Sequence, residues 1–95
     1  MNNYTKIDKN KNRIEYLNDK EKYHRTDGPA VIKYREDGSL MYEAYYINDM
    51  PFREDNLPTD IWYYTNGNIE QEIWFNERNQ KHNEYGPARI FYPKQ

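Results

Sequence analysis

Short runs in which apolar and aromatic positions alternate with polar ones recur along the chain, each broken by proline or glycine. Ala30-Val31-Ile32-Lys33-Tyr34 and Thr59-Asp60-Ile61-Trp62-Tyr63 are β-branched and aromatic, as suits a strand on a pleated, half-buried surface. They lead to Asp37-Gly38 and Asn66-Gly67, pairs that tolerate the positive φ of a hairpin turn. A longer run returns after each turn, Leu40 to Ile47 and Ile69 to Phe75. No window sustains helical periodicity. The pattern predicts an all-β chain, an antiparallel meander of about six strands built from hairpins.

The hairpins repeat. Pro29, Pro58 and Pro87 are spaced by 29 residues, and Gly38 and Gly67 keep the same interval. PAVIKYREDGSLMYEAYYI aligns with PTDIWYYTNGNIEQEIWFN, and PARIFYP opens a third copy. IEYLNDKEKYH near the start aligns with EIWFNERNQKH. The order is half a repeat, two full repeats and another half, in the manner of a short solenoid. Residues 14–95 form this single domain, and residues 1–13 stand apart as a basic N-terminal arm open to disorder.

Alignment of the copies separates framework from decoration. Ala30/Thr59/Ala88, Ile32/Ile61/Ile90 and Tyr34/Tyr63/Tyr92 repeat nearly unchanged, and alternation puts them on one face, the expected core. The opposite face reads Val31/Asp60/Arg89 and Lys33/Trp62/Phe91, differing in every copy. It is the expected surface, with Trp62 and Phe91 as an aromatic patch for a partner. In the second strand, Tyr16/Tyr45/Trp74 and Leu17/Tyr46/Phe75 make both faces aromatic. Such a sheet is covered by its own twist, by its loops or by another subunit.

Composition narrows the class. Ninety-five residues suit one domain, and a chain this short buries only roughly 60–65% of its unfolded surface. The absence of cysteine excludes a disulfide-stapled scaffold. No stretch approaches the roughly 20 apolar residues of a membrane span. MNNYTKIDKNKNRIEY lacks the apolar run of a signal peptide, so a cytoplasmic protein is expected, in the host cytoplasm for a viral source. Abundant Asn, Lys, Tyr and Ile match A/T-rich codons. Residues 26–77 carry three basic side chains against eleven acidic ones, between two basic ends. An acidic centre suits a basic protein partner and opposes general nucleic-acid binding, which needs clustered Lys and Arg.

The stretch HRTDGP invites a catalytic reading, since a histidine positioned by a carboxylate serves as a general base. The repeat opposes it. Phe52 takes the place of His24, and Asn83 and Tyr85 take those of Arg25 and Asp27. A position that accepts His or Phe calls for a flat ring. Arg25 with Asp27, and Arg53 with Asp55, are expected to pair and brace the turn. His24 and His82 are 58 residues apart at equivalent repeat positions, with no further ligands of zinc spacing. Neither a catalytic centre, a cofactor nor a metal is expected.

The motif H-R-x-D-G-P-A, a short aromatic strand, Asn/Asp-Gly and an aromatic strand ending in Ile-Asn resembles the MORN-like repeats of bacteria, phages and giant viruses. HRTDGPAVIKYREDG and FREDNLPTDIWYYTNG carry the resemblance, HNEYGPARIFY is a truncated copy, and the resemblance covers roughly residues 14–92. The usual MORN spacing is shorter and richer in glycine. The resemblance implies a β-hairpin repeat and an interaction role, without an activity. The expected function is a non-enzymatic protein-binding module. Trp62, Asp60, Tyr64, Phe91, Glu54 and Asp55 are its candidate contact residues. A phage or viral inhibitor of a host defence protein, such as a CRISPR component, fits the size and the repeat type. The alternative is a self-assembling structural protein, a homodimer paired through open sheet edges.

Overall fold

The computed structural model describes residues 4–9, 12–76, 78, 80–83 and 86–94. In chain order these form β1 (Thr5–Lys9), β2 (Arg13–Leu17), β3 (Val31–Tyr34), β4 (Leu40–Ala44), β5 (Tyr46–Ile47), β6 (Met50–Pro51), β7 (Asp60–Tyr63), β8 (Ile69–Ile73) and β9 (Arg89–Phe91). A short helical turn lies at Glu54–Asn56. Seven strands make one open sheet in the order β1-β2-β3-β4-β7-β8-β9, every neighbour antiparallel. The strands β5 and β6 form a small hairpin of their own. The chain is the all-β antiparallel meander that its hairpin pattern predicts.

The main sheet holds one strand more than expected. Residues 5–9, read as part of a detached arm, pair with β2 from Thr5↔Leu17 to Lys9↔Arg13. TKIDK has a single apolar residue and so carries no strand signal, but an edge strand needs only the backbone of its neighbour. Tyr4 fastens it, with its ring edge-on to Tyr16 at 5.1 Å. Residues 1–3, 10 and 11 of that arm lie outside the described residues.

Both central hairpins turn in the same way. Gly38 and Gly67 alone reach positive φ within their turns, at 90° and 92°. Arg35 and Tyr64 donate their backbone N–H across the turn to Ser39 and Asn68. These are three-residue turns closed by a glycine bulge, so each Asp-Gly or Asn-Gly pair supplies one left-handed residue instead of two. The side chains of Asp37 and Asn66 accept the N–H two residues on and fix the approach to the glycine.

The returning strands are shorter than the sequence pattern implies. β4 ends at Ala44 and β8 at Ile73, and the aromatic residues beyond turn into a second, smaller hairpin. Three such hairpins occur at equivalent places, through Leu17↔Tyr23, Tyr46↔Pro51 and Phe75↔Lys81. In the outer two, Asn18 and Asn76 each accept two backbone N–H groups across the loop. The middle one closes through Asn48 and Asp49 at positive φ.

The sheet is a single layer, 39 × 35 × 20 Å overall. Antiparallel register carries Ile14, Ile32, Glu43, Ile61, Glu72 and Ile90 across one face, the repeating face. Glu15, Val31, Ala44, Asp60, Ile73 and Arg89 cross the other, the varied face. The expected division into core and surface is corrected here. The hydrophobic side chains buried below one tenth exposure are Ala30, Val31, Ala44, Ile61 and Ile73, drawn from both faces. Val31 and Asp60, read as surface, are buried at 3% and 7% exposure. Tyr92, read as core, is 38% exposed. The reason is the small hairpins. Tyr23 reaches Glu15 with its hydroxyl, and the rings of Tyr23 and Tyr46 meet at 5.5 Å, so aromatic side chains roof the centre of the varied face.

Beneath that roof Asp60 accepts hydrogen bonds from the hydroxyls of Tyr42 and Thr59. Burial raises its carboxyl above the ordinary 3.8, and the two hydroxyl donors offset only part of the rise. The fold therefore favours the protonated acid. The stability this gives is complete below 3.8, the unfolded value, and is lost as pH rises through the raised folded value. Asp60→Asn keeps an acceptor oxygen for one of the two hydroxyls and carries no charge at any pH. Relative to Asp60→Asn, the native chain should gain stability as pH falls from neutral and level off below 3.8. Urea unfolding of the two proteins across pH checks this, and a difference independent of pH would refute it.

Candidate protein-binding surface

Each small hairpin delivers the chain into a loop that ends at one of the spaced prolines. The three loops start alike, with the N–H of His24, Phe52 and His82 bonded to the carbonyls of Tyr16, Tyr45 and Trp74. The next residue then reaches forward along its own loop. Arg25 donates to the Pro29 carbonyl, Arg53 to that of Pro58 and Asn83 to that of Pro87. A guanidinium is broad and flat enough to lie on a ring while it does so. Arg25 sits 4.0 Å above the Tyr16 centroid, and Arg53 sits 4.0 Å above that of Tyr45. The first two loops are thus braced against the aromatic residue that precedes each of them.

The loops differ in how they close. In the first, Arg25 also pairs with Asp27 at 2.9 Å, and the Tyr4 hydroxyl donates to the same carboxylate at 2.6 Å. Those two donors, the tyrosine first, hold the Asp27 carboxyl below its ordinary value. Gly28 lies against the guanidinium, so close that a Cβ there would fall 2.8 Å from Arg25 Cζ. The HRTDGP motif is thus a braced turn, and the expected Arg25–Asp27 pair is present. The expected Arg53–Asp55 pair is not found among the described residues. The second loop is one residue longer, has Leu57 where the first has Gly28, and takes Asp55 and Asn56 through positive φ. Trp74 locks this bend by donating its indole N–H to the Asn56 carbonyl at 2.8 Å.

The enlarged second loop divides two grooves. One, of about 870 Å³, runs between it and the third small hairpin, walled by Phe52, Arg53, Leu57, Trp74, Phe75 and His82. The other, of about 590 Å³, runs toward the first loop, walled by Arg25, Gly28, Tyr45, Phe52, Arg53 and Leu57. Phe52 and Leu57 belong to both and are 44% and 45% exposed. Arg53 also belongs to both, held flat by Tyr45. The result is a pair of exposed apolar side chains beside a cation held on a ring.

The six contact residues expected from sequence do not form one patch. Glu54 and Asp55 are exposed on the second loop, and Asp55 lines both grooves. Trp62 and Phe91 share the varied face, but Gln71 stands between them in the register. Trp62 is half-buried and packs on Tyr42 with centroids 4.3 Å apart, whereas Phe91 is largely exposed, with Arg89 over its ring. Tyr64 spends its hydroxyl on the Tyr92 carbonyl at 2.6 Å. Asp60 is corrected outright, since a buried carboxyl group capped by Tyr42 and Thr59 presents nothing to a partner.

Phe52, Leu57 and Arg53 went unselected in the sequence. The signal for them was there, because FREDNLP is the copy that breaks the loop pattern, by an added residue and by leucine in place of glycine. Among the described residues no three His, Asp or Glu side chains gather as a metal-holding group, and no helix is long and apolar enough to cross a membrane. Comparisons with protein families, with curated proteins and with solved structures find no match for the chain.

The two glycines before proline separate loop bracing from loop flexibility. Gly28→Ala must push Arg25 off Tyr16 and should destabilise the fold by about 1 kcal/mol, the worth of the displaced cation–ring contact. Gly86→Ala meets only the Asn83 side chain at 3.7 Å, ordinary contact, and should leave stability unchanged. Thermal melts of both variants decide the matter, and equal losses would contradict the bracing.

Proposed function

We propose that this chain is a non-enzymatic protein-binding module that docks its partner on the second loop and the two grooves beside it. One observation carries the reading. The loop that is one residue longer than its two counterparts, with leucine in place of glycine, is also the one that holds Phe52 and Leu57 in solvent between two open grooves. Apolar side chains fixed on a rigid frame lose little entropy on docking and make good anchors. Arg53 beside them supplies orientation, because a guanidinium held on a ring is already placed for a carboxylate or carbonyl of the partner. Glu54 and Asp55, exposed on the same loop, offer acceptors to a basic group of that partner.

Within this class the chain is read as a phage or viral inhibitor of a host defence protein, such as a component of a CRISPR system. Small size, A/T-rich coding and the resemblance to MORN-like repeats support that narrower reading. It requires a single tight complex rather than many weak ones.

The test is affinity capture from the host with three tagged proteins that have matching circular dichroism. These are the native chain, Phe52→Ser with Leu57→Ser, and Phe91→Ser on the varied face. The native chain and Phe91→Ser should retain the same partner, and the loop variant should lose it. A partner kept by the loop variant and lost by Phe91→Ser would move the site to the varied face.

A further inference from the structure

The outer edge of β9 is a second candidate interaction surface, and the repeats show what kind of strand it accepts. Among the described residues β9 pairs only with β8, and it is the last strand of the sheet. Its counterparts β3 and β7 each carry a strand on both sides. The N–H of Trp74 bonds to the Ala88 carbonyl, and that of Tyr92 bonds to the Glu70 carbonyl. Alternation along an antiparallel ladder then turns the backbone groups of Ile90 toward β8 and those of Arg89 and Phe91 outward. The outward row is bounded, because Pro87 and Pro93 at the flanking positions have no N–H to give.

We infer that this edge binds a second copy of the same edge, antiparallel, about a two-fold axis through Ile90. That register sets Arg89 opposite the partner copy's Phe91, and the reverse, so both outward residues exchange both backbone bonds. The side chains are complementary in the same register. Arg89 already lies 4.4 Å from the centroid of its own Phe91 ring, and pairing brings a second ring beside the cation. Phe91, 62% exposed, gains cover. On the opposite face Ile90 meets its own copy.

The other edge is a poorer partner. β1 reads Thr-Lys-Ile-Asp-Lys, with charged residues at three of its five positions, the usual protection against edge pairing. Joining β9 to β1 of a second copy would also leave both ends free and propagate a fibre rather than a closed pair.

The chain has no cysteine, so a single introduced one reports the register directly. Opposed residues of a non-bonded pair have Cα atoms about 4.5 Å apart, within reach of a disulfide. Ile90→Cys should therefore cross-link to a dimer under mild oxidation. Ala88→Cys, about 13 Å from its own copy in this register, should not. Sedimentation at up to millimolar concentration should show the native chain in a monomer–dimer equilibrium. Phe91→Pro removes one outward N–H without touching the bonds to β8, and should be monomeric with an unchanged spectrum. A native chain that stays monomeric throughout, equal cross-linking at positions 88 and 90, or growth beyond the dimer would each overturn the inference.

Discussion

A sheet one layer thick has no second layer to bury its faces, and everything else in this protein answers to that constraint. Among the described residues no large side chain is wholly buried. Hydrophobic burial is therefore thin, and neighbouring repeats must also be held together within the plane of the sheet. Tyrosine is suited to this, because its ring covers the sheet while its hydroxyl reaches a polar group one strand away. Tyr63 donates to Glu43 at 2.6 Å, and Tyr92 donates to Glu72 at 2.5 Å. Both pairs are separated by 20 residues and related by the 29-residue repeat. Each ties the second strand of one repeat to the first strand of the next. Burial first, and then the glutamate, raise the Tyr63 hydroxyl above its ordinary range, while at the exposed Tyr92 the glutamate comes first.

A second set of ties runs at the strand ends. Arg35 donates to the Tyr63 carbonyl at 2.6 Å, and Tyr64, 29 residues on, donates to the Tyr92 carbonyl at 2.6 Å. On the varied face the ties differ with each junction. Tyr42 bonds Asp60 at one, and Arg89 bonds Gln71 at 2.9 Å at the next, on equivalent pairs of positions. Variation there is thus paired variation. Asp60 is bonded to Tyr42, and Arg89 to Gln71, so residues that looked free to vary are committed to their own junctions. The surface released for binding is correspondingly small, and it lies at the loops.

The hairpins, their spacing and their turns were legible because each rests on local chemistry: proline at a strand start, glycine at a turn, alternation between. The braced HRTDGP turn was legible from the failure of its residues to recur. Which face was buried was not legible. Val31 and Asp60 are buried on the face that Tyr23 and Tyr46 of the small hairpins help cover, and no single strand's alternation reveals what a neighbouring hairpin will cover. β1 was missed because its pairing is a matter of backbone and not of pattern. Phe52 and Leu57 were missed because attention to the repeat favours what recurs, and they sit where it fails.

Tyrosine–glutamate ties between repeats hold the layer together. A double-mutant cycle in urea, combining Tyr63→Phe with Glu43→Gln, tests this most directly. Tyr34→Phe serves as the reference, since Ile14 stands there in the glutamate's place. A tie that stabilises the sheet gives a coupling of about 1 kcal/mol or more, the worth of a hydrogen bond to a charged acceptor. It also makes Tyr63→Phe clearly more costly than Tyr34→Phe. Additive losses, or equal effects at Tyr63 and Tyr34, would mean that the rings alone carry the fold and the ties are incidental.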